Sequence, residues 1–286
     1  MFAVTATTPR NCPACGAPAA GPALTLRSSR GVGRWRRCPR CASYFIDEPY
    51  AAATEGEHQA AMYWGEVAHA EELNAYKRRM FDAALRLIAP YAPPPASLLD
   101  VGCSFGGFLV AARTRGYRVS GIDVNPRAVD YAKGHGFDVH VAARVADATA
   151  SDPLDAITCF DTNYYWDDQP GELRAAYARL RPGGVLAIRT SDKSMLVTVG
   201  RALGPIGDGM VRFGLMDHRL SMPLPSLLRV MREAGFEVIH ASPRHAVQSD
   251  DTRPAAKLAF AIGALFWERF GLSVGPGSLV VARKPG

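Results

Sequence analysis

Four cysteines stand in two pairs, Cys12-Pro13-Ala14-Cys15 and Cys38-Pro39-Arg40-Cys41, with 22 residues between the pairs. A Cys-x-x-Cys turn aims two sulfurs at one ion, and two such knuckles complete a tetrahedron around it. Gly16 directly after Cys15 suits the turn, because glycine reaches backbone angles that other residues avoid. Short strands are expected between the pairs, over Ala23–Arg27 and Gly33–Arg37. Cys12, Cys15, Cys38 and Cys41 therefore form a candidate Zn2+ site, structural in role because protein fills all four positions. A thioredoxin-like redox function accounts for either pair alone but not for the matching second one. Cys103 and Cys159 stand elsewhere, in a glycine turn and an apolar stretch, and read as small packing residues.

A second constellation runs from Leu98-Leu99-Asp100-Val101-Gly102-Cys103-Ser104-Phe105-Gly106 to Asp123. Ser97 to Val101 is expected as a strand, Gly106 to Arg115 as a helix closed by Gly116, and Tyr117 to Ile122 as a second strand ending at Asp123. A glycine turn after one strand and an acid after the next is a general nucleoside-binding arrangement, in which Asp123 accepts from both ribose hydroxyls. A dinucleotide fold requires G-x-G-x-x-G, whose middle glycine lets backbone approach the pyrophosphate. Ser104 occupies that position here, and Asp100 puts a carboxylate at the strand mouth, which repels phosphate and attracts a cation. S-adenosyl-L-methionine carries a ribose, a sulfonium and an ammonium but no phosphate, so electrostatics favour it over NAD. No G-x-x-x-x-G-K-[ST] loop exists, which removes the common ATPase reading.

These groups need a scaffold, and 286 residues with 48% hydrophobic content supply one large α/β domain and a small appendage. Beyond Pro93-Pro94-Pro95, strands at Phe137–Val141, Ala156–Phe160 and Val185–Arg189 alternate with helices after Asn125-Pro126 and near Glu172–Leu180. Such alternation implies a parallel sheet covered on both faces. The expected divisions are a zinc ribbon over 1–47, a helical cap over 48–95, and a cofactor-binding domain over 96–286 with a lid insertion at about 190–225. The formal charge of +6 is concentrated early, at Arg27, Arg30, Arg34, Arg36, Arg37 and Arg40 around the second cysteine pair. That patch can meet phosphate or simply be solvated. The amino terminus lacks the layout of a secretory signal, and the most apolar helical stretch, Leu258–Trp267, is ten residues long. A soluble, cytoplasmic protein with no membrane partner is expected, its oligomeric state open.

Residues 97–286 resemble a class I S-adenosylmethionine-dependent methyltransferase. Leu99-Asp100-Val101-Gly102-Cys103-Ser104-Phe105-Gly106 resembles the first motif of that family and Gly121-Ile122-Asp123-Val124-Asn125 its second-strand acid. Asp155-Ala156-Ile157-Thr158-Cys159-Phe160 resembles the fourth-strand motif, and Leu180-Arg181-Pro182-Gly183-Gly184-Val185-Leu186 the turn into the fifth strand. The resemblance implies a Rossmann-like, seven-stranded, mostly parallel sheet ending in an antiparallel hairpin, for which Phe236–Ala241 and Ser278–Ala282 fit. It places Asp100, Gly102, Ser104 and Gly106 against the methionine portion, Asp123 and Val124 at the ribose, and the loop near Arg144-Val145 at the adenine, with Asp147 as that loop's acid. Phe160 is expected in this cofactor set, and Tyr63 and Tyr76 of the cap can either reach the cofactor carboxylate or pack onto the sheet.

The methyl acceptor should sit above the carboxyl ends of the fourth and fifth strands. There Tyr164-Tyr165-Trp166 can wall a pocket, and Tyr165 stands where many small-molecule relatives carry a histidine. His218, inside the long glycine-containing connection, has the intrinsic pKa of a general base, so His218 and Tyr165 are the catalytic candidates. The amino-terminal ribbon resembles that of bacterial sugar C-methyltransferases and related tailoring enzymes, which implies a small-molecule or nucleotide-sugar-like acceptor. Zinc-bearing ribosomal guanine methyltransferases also join a ribbon to this fold, so an RNA substrate is the alternative. A non-catalytic cofactor-binding scaffold is the third reading, and an NAD-linked oxidoreductase the weakest.

Overall fold

The computed structural model describes residues 11–19, 22–28, 31–48, 75–150, 153–215, 218–243, 254–270 and 277–286. Three short strands follow the first cysteine pair and enclose the second: β1 (Leu24–Ser28), β2 (Gly31–Arg37) and β3 (Tyr44–Glu48). They pair antiparallel in chain order. Trp35, Tyr44 and Ile46 are buried, while Arg36 is tied to Asp47, Nε to Oδ2 2.7 Å.

Helix α1 (Ala75–Ile88) buries Met80, Phe81, Ala84, Leu85 and Ile88, the spacing of one apolar helical face. It covers the sheet next to Leu98, Phe108 and Val281. That sheet alternates strand and helix: β4 (Ser97–Val101), α2 (Gly107–Thr114), β5 (Arg118–Asp123), α3 (Pro126–Gly134), β6 (Asp138–Val141), β7 (Leu154–Phe160), α4 (Gln169–Arg179) and β8 (Leu180–Thr190). The central strands are largely buried because both faces of the sheet are covered; Leu98, Leu99 and Val101 of β4 are all buried. Asn125 caps α3 as its sequence context predicts, its Oδ1 accepting from the N–H groups of Arg127 and Ala128. Beyond β8 come α5 (Ser194–Ala202), α6 (Asp208–Leu215), β9 (Leu220–Ser221), α7 (Leu224–Glu233), β10 (Glu237–Ser242), α8 (Pro254–Phe270) and β11 (Ser278–Arg283). The seven strands lie in the order β10-β11-β8-β7-β4-β5-β6, parallel from β8 to β6, with β11 antiparallel to both β8 and β10. The expected seven-stranded Rossmann-like sheet with a final antiparallel hairpin is present. Among the described residues, no helix is long and apolar enough to cross a membrane.

The smaller sheet takes its fourth strand from far along the chain. β9 pairs antiparallel with β3, matching Tyr44 to Ser221 and Phe45 to Leu220, and the Ile46 N–H donates to Arg219 O at 3.0 Å. The stretch at 190–225, expected as a lid, thus contains two helices and a strand that join the cysteine-bearing sheet. Val197, Val211 and Leu215 share a core with Leu26, Trp35, Tyr44 and Ile46. Close packing between α5 and the turn before α6 depends on glycine: a Cβ on Gly207 would lie 1.9 Å from Gly200 O.

Candidate functional site: a glycine turn, an aromatic wall and a tetrathiolate cluster

The turn after β4 reverses the chain through three left-handed residues, Gly102 (φ 78), Ser104 (φ 48) and Gly106 (φ 86). Gly102 and Cys103 donate their N–H groups to Ile122 O, at 2.8 and 3.0 Å, which fixes the turn against the end of β5. Gly102 is confined from the other side too, since a Cβ there would meet Thr162 Oγ1 at 2.0 Å. The turn and the exit of β7 are therefore in direct contact. Cys103 is buried against Gly121, and burial pushes its thiol up, so it packs rather than reacts. Cys159 is buried at 0% exposure with its thiol likewise raised.

Asp123 is half-buried at the end of β5, and two backbone donors hold its carboxylate: Ser104 N–H to Oδ2 at 2.9 Å and Asn125 N–H to Oδ1 at 2.8 Å. Burial raises its pKa, and these donors oppose the rise. Asp100 lies beneath the mouth rather than in it, at 3% exposure, because its side chain turns toward β7 and accepts from Thr158 Oγ1 at 2.7 Å. Burial lifts Asp100 to about 7; the Thr158 bond opposes this and the nearby charge of Asp123 adds to it. Two carboxylates share one region of low dielectric. A bound cation would favour the ionised form of both.

Val124 is exposed beside Asp123, and Val145 is fully buried. The loop carrying Val145 is braced from α4: Glu172 Oε2 accepts from Val145 N–H at 2.7 Å, and Arg179 donates to Val145 O, Ala148 O and Ala150 O. Asp147 is exposed in this loop. Glu172 and Arg179 escaped sequence reasoning; their signal is a carboxylate and a guanidinium seven residues apart on one helix. Phe160 sits between Phe81 and Phe108, with ring centroids 5.4 and 4.6 Å away. Tyr63 lies outside the described residues, as does the side chain of Tyr76.

Above β7 the structure brings the acceptor candidates together. His218 packs on Tyr164 with ring centroids 3.9 Å apart, and Tyr164 in turn meets Tyr165 at 4.8 Å. Tyr164 is buried, while Tyr165 and His218 keep partial access to solvent. Trp166 points into the core at 6% exposure. At the strand ends below, buried Arg189 of β8 donates to the carboxylate of Asp161, itself left-handed at φ 55. Asp192 organises the next turn, accepting from Ser194 N–H and Leu224 N–H at 3.0 and 3.1 Å.

The four paired cysteines converge, their sulfurs all within 4.8 Å of one another. Cys12 and Cys41 sulfurs are 3.6 Å apart, and those of Cys15 and Cys38 3.7 Å. Zn–S bonds of about 2.3 Å place tetrahedral sulfurs about 3.8 Å apart, so the set fits zinc. Hydrogen bonding from Cys12 holds the Cys41 thiol down, while Cys12 itself is pushed up by that bond and by burial. Four buried thiols cannot all ionise together without a cation among them.

A family model described as a methyltransferase domain matches residues 72–241. The chain belongs to the class I S-adenosylmethionine-dependent methyltransferases. This methyltransferase is 35% identical over 114 residues to a ubiquinone biosynthesis O-methyltransferase of Xanthomonas campestris pv. campestris (strain B100), 37% of this chain and 47% of that relative. The chain thus spans about half the length of the curated relatives it matches. An S-adenosylmethionine-dependent methyltransferase from Mesorhizobium loti superposes with a TM-score of 0.51 at 19% identity, covering 70% of this chain and 96% of its own. Geranyl diphosphate C-methyltransferase from Streptomyces coelicolor A3(2) gives 0.50 at 16% identity, over 83% and 87% of the two chains. These two structures share the methyltransferase fold.

Proposed function

We propose that this methyltransferase transfers a methyl group from S-adenosylmethionine to a hydroxyl of a small-molecule acceptor, with structural zinc at Cys12, Cys15, Cys38 and Cys41. The observation that carries the reading is the contact between Gly102 and Thr162, which sets the cofactor turn beside the segment leading to Tyr164. Bound S-adenosylmethionine supplies a methyl on a sulfonium that is already activated. The protein then has to align the acceptor and exclude water. Asp123, held by Ser104 and Asn125, has lone pairs left to accept from ribose hydroxyls. Gly102 and Gly106 hold the left-handed turn against which the methionine portion would lie, and the ionised form of Asp100 favours its ammonium. Tyr164 and Tyr165 wall the acceptor. His218, packed against the Tyr164 ring, takes the proton that the hydroxyl oxygen loses as it attacks the methyl carbon.

Relatives named for O-methylation support a hydroxyl acceptor. An RNA acceptor draws on the arginine-rich ribbon, but Arg36 is bound to Asp47 and Arg40 lies 3.8 Å from Glu233, which reduces the charge on offer. The test pairs calorimetry with turnover. S-adenosylhomocysteine should bind, and Asp123→Ala should weaken it about 100-fold, the loss of two charge-assisted hydrogen bonds. With an acceptor found by screening catechols, phenols and sugars, His218→Gln should lower kcat by about 10²-fold or more without changing cofactor affinity. Cofactor binding with no transfer to any hydroxyl would replace this reading with that of a binding scaffold.

A further inference from the structure

The cysteine knuckles reach the aromatic wall through two separate connections, one from each knuckle. Pro13 O, inside the first, accepts the Gln169 N–H at 2.8 Å, four residues beyond Tyr165. Cys41 O, at the end of the second, accepts from Ser226 Oγ at 2.7 Å, and β3 just after it pairs with β9, two residues past His218. All four cysteines share one buried cluster with Tyr164 and Trp166. The hydrogen bonds of the glycine turn run instead to Ile122 and Asp123, and it meets the wall through the contact of Gly102 with Thr162.

We infer that the two knuckles are positioning elements for the acceptor wall: the first sets Tyr164 and Tyr165, the second sets His218, and the tetrathiolate cluster between them holds the two halves of the wall in register. The inference rests on the zinc and acceptor assignments proposed above. Each half of the wall is short, and beyond the knuckles few contacts hold it: Gln169 Nε2 donates to Asn163 O, Lys193 N–H donates to Ser221 Oγ, and Arg219 lies 3.8 Å from Asp167 across the two halves. Asn163–Tyr165 is a single tight turn and β9 is only two residues long. Separating the knuckles would let Tyr164 and His218 part while leaving Asp123 and the glycine turn in place. The cluster would thus govern recognition of the acceptor and not of the nucleoside.

Histidine NMR reads this without an acceptor. His218 lies against the Tyr164 ring, so its imidazole C–H resonances carry a ring-current shift, assigned by His218→Gln and Tyr164→Leu. His135 stacks on Tyr131 at 4.3 Å in the cofactor-binding region and serves as the internal reference. After chelation of the metal, the His218 shift should collapse toward the free-imidazole position while His135 keeps its shift and S-adenosylhomocysteine affinity stays within about twofold. The zinc-loaded Ser226→Ala protein should show a smaller displacement of His218 in the same direction. An unmoved His218 in the stripped protein overturns the inference, and so does a joint collapse of His218 and His135, which would make the cluster a support of the whole fold. Zinc content and cofactor binding before stripping are scored separately: failure there sinks the proposed function, whereas their success with an unmoved His218 sinks this inference alone.

Discussion

From Gly102 to Asn125 the chain builds the proposed cofactor mouth within 24 residues, using one glycine turn, one strand end and backbone hydrogen bonds. The proposed acceptor wall is assembled differently, from segments near residues 13, 41, 165 and 220 that meet only in the folded protein. The bond from Ser226 to Cys41 spans 185 positions and that between Tyr44 and Thr198 spans 154. A site made mainly by local backbone depends on few distant side chains, here Thr162 beside Gly102 and Thr158 on Asp100. A site made by long-range contacts inherits the condition of every segment that enters it, and can change its acceptor while the cofactor mouth stays constant.

Substitutions can break this contrast or sharpen it. The largest effect is expected for Gly102→Ala, where a left-handed φ of 78 and a Cβ 2.0 Å from Thr162 Oγ1 combine. Urea denaturation should show a loss of about 3 kcal/mol, with cofactor binding abolished. Because Thr162 stands at the foot of the wall, His218 should shift as well. Silence there would mean the two sites are less coupled than their contact implies.

Asp100 offers the next test, through pH. Its folded pKa of about 7 exceeds the ordinary carboxylate value, so between about pH 4 and 7 the folded state holds a proton that the unfolded state has released. Stability of the cofactor-free protein should therefore fall as pH rises through that window, by at most about 4 kcal/mol. Asp100→Asn should flatten the slope in thermal melts. An unchanged slope would remove Asp100 from the electrostatics of the mouth.

Much of the mouth was legible in the sequence for the same reason that it is local. The turn, the strand ends and the Asn125 cap follow from glycine placement and apolar runs a few residues apart, whereas the seven-stranded sheet and its final hairpin came from the family resemblance. The cysteine set was equally legible, since repeated spacing is a local signal. The brace of Glu172 and Arg179 on the loop at 145–150 was not, because nothing in α4 states what its buried charges will meet. Nor was the pairing of β9 with β3, because a two-residue strand has no periodicity to read. The contact of His218 with the Tyr164 ring became visible only once that pairing had placed it.

The smallest effect compares the knuckles themselves. Gly16 supplies a left-handed residue after the first pair, and Ala42 takes the corresponding conformation, φ 57, after the second. Ala42→Gly should relieve that strain and raise stability by up to about 1 kcal/mol, measured as a higher denaturation midpoint with zinc content unchanged. A loss instead would show that the alanine methyl packs usefully.

The seam between β3 and β9 also bears on how such a protein can be rebuilt. A chimera that exchanged residues 11–48 for a foreign ribbon would import working cysteines and still forfeit the hydrogen bond from Ile46 to Arg219 unless its final strand matched in length and phase. Grafts at this position must carry both partners of the seam, one from each half of the polypeptide.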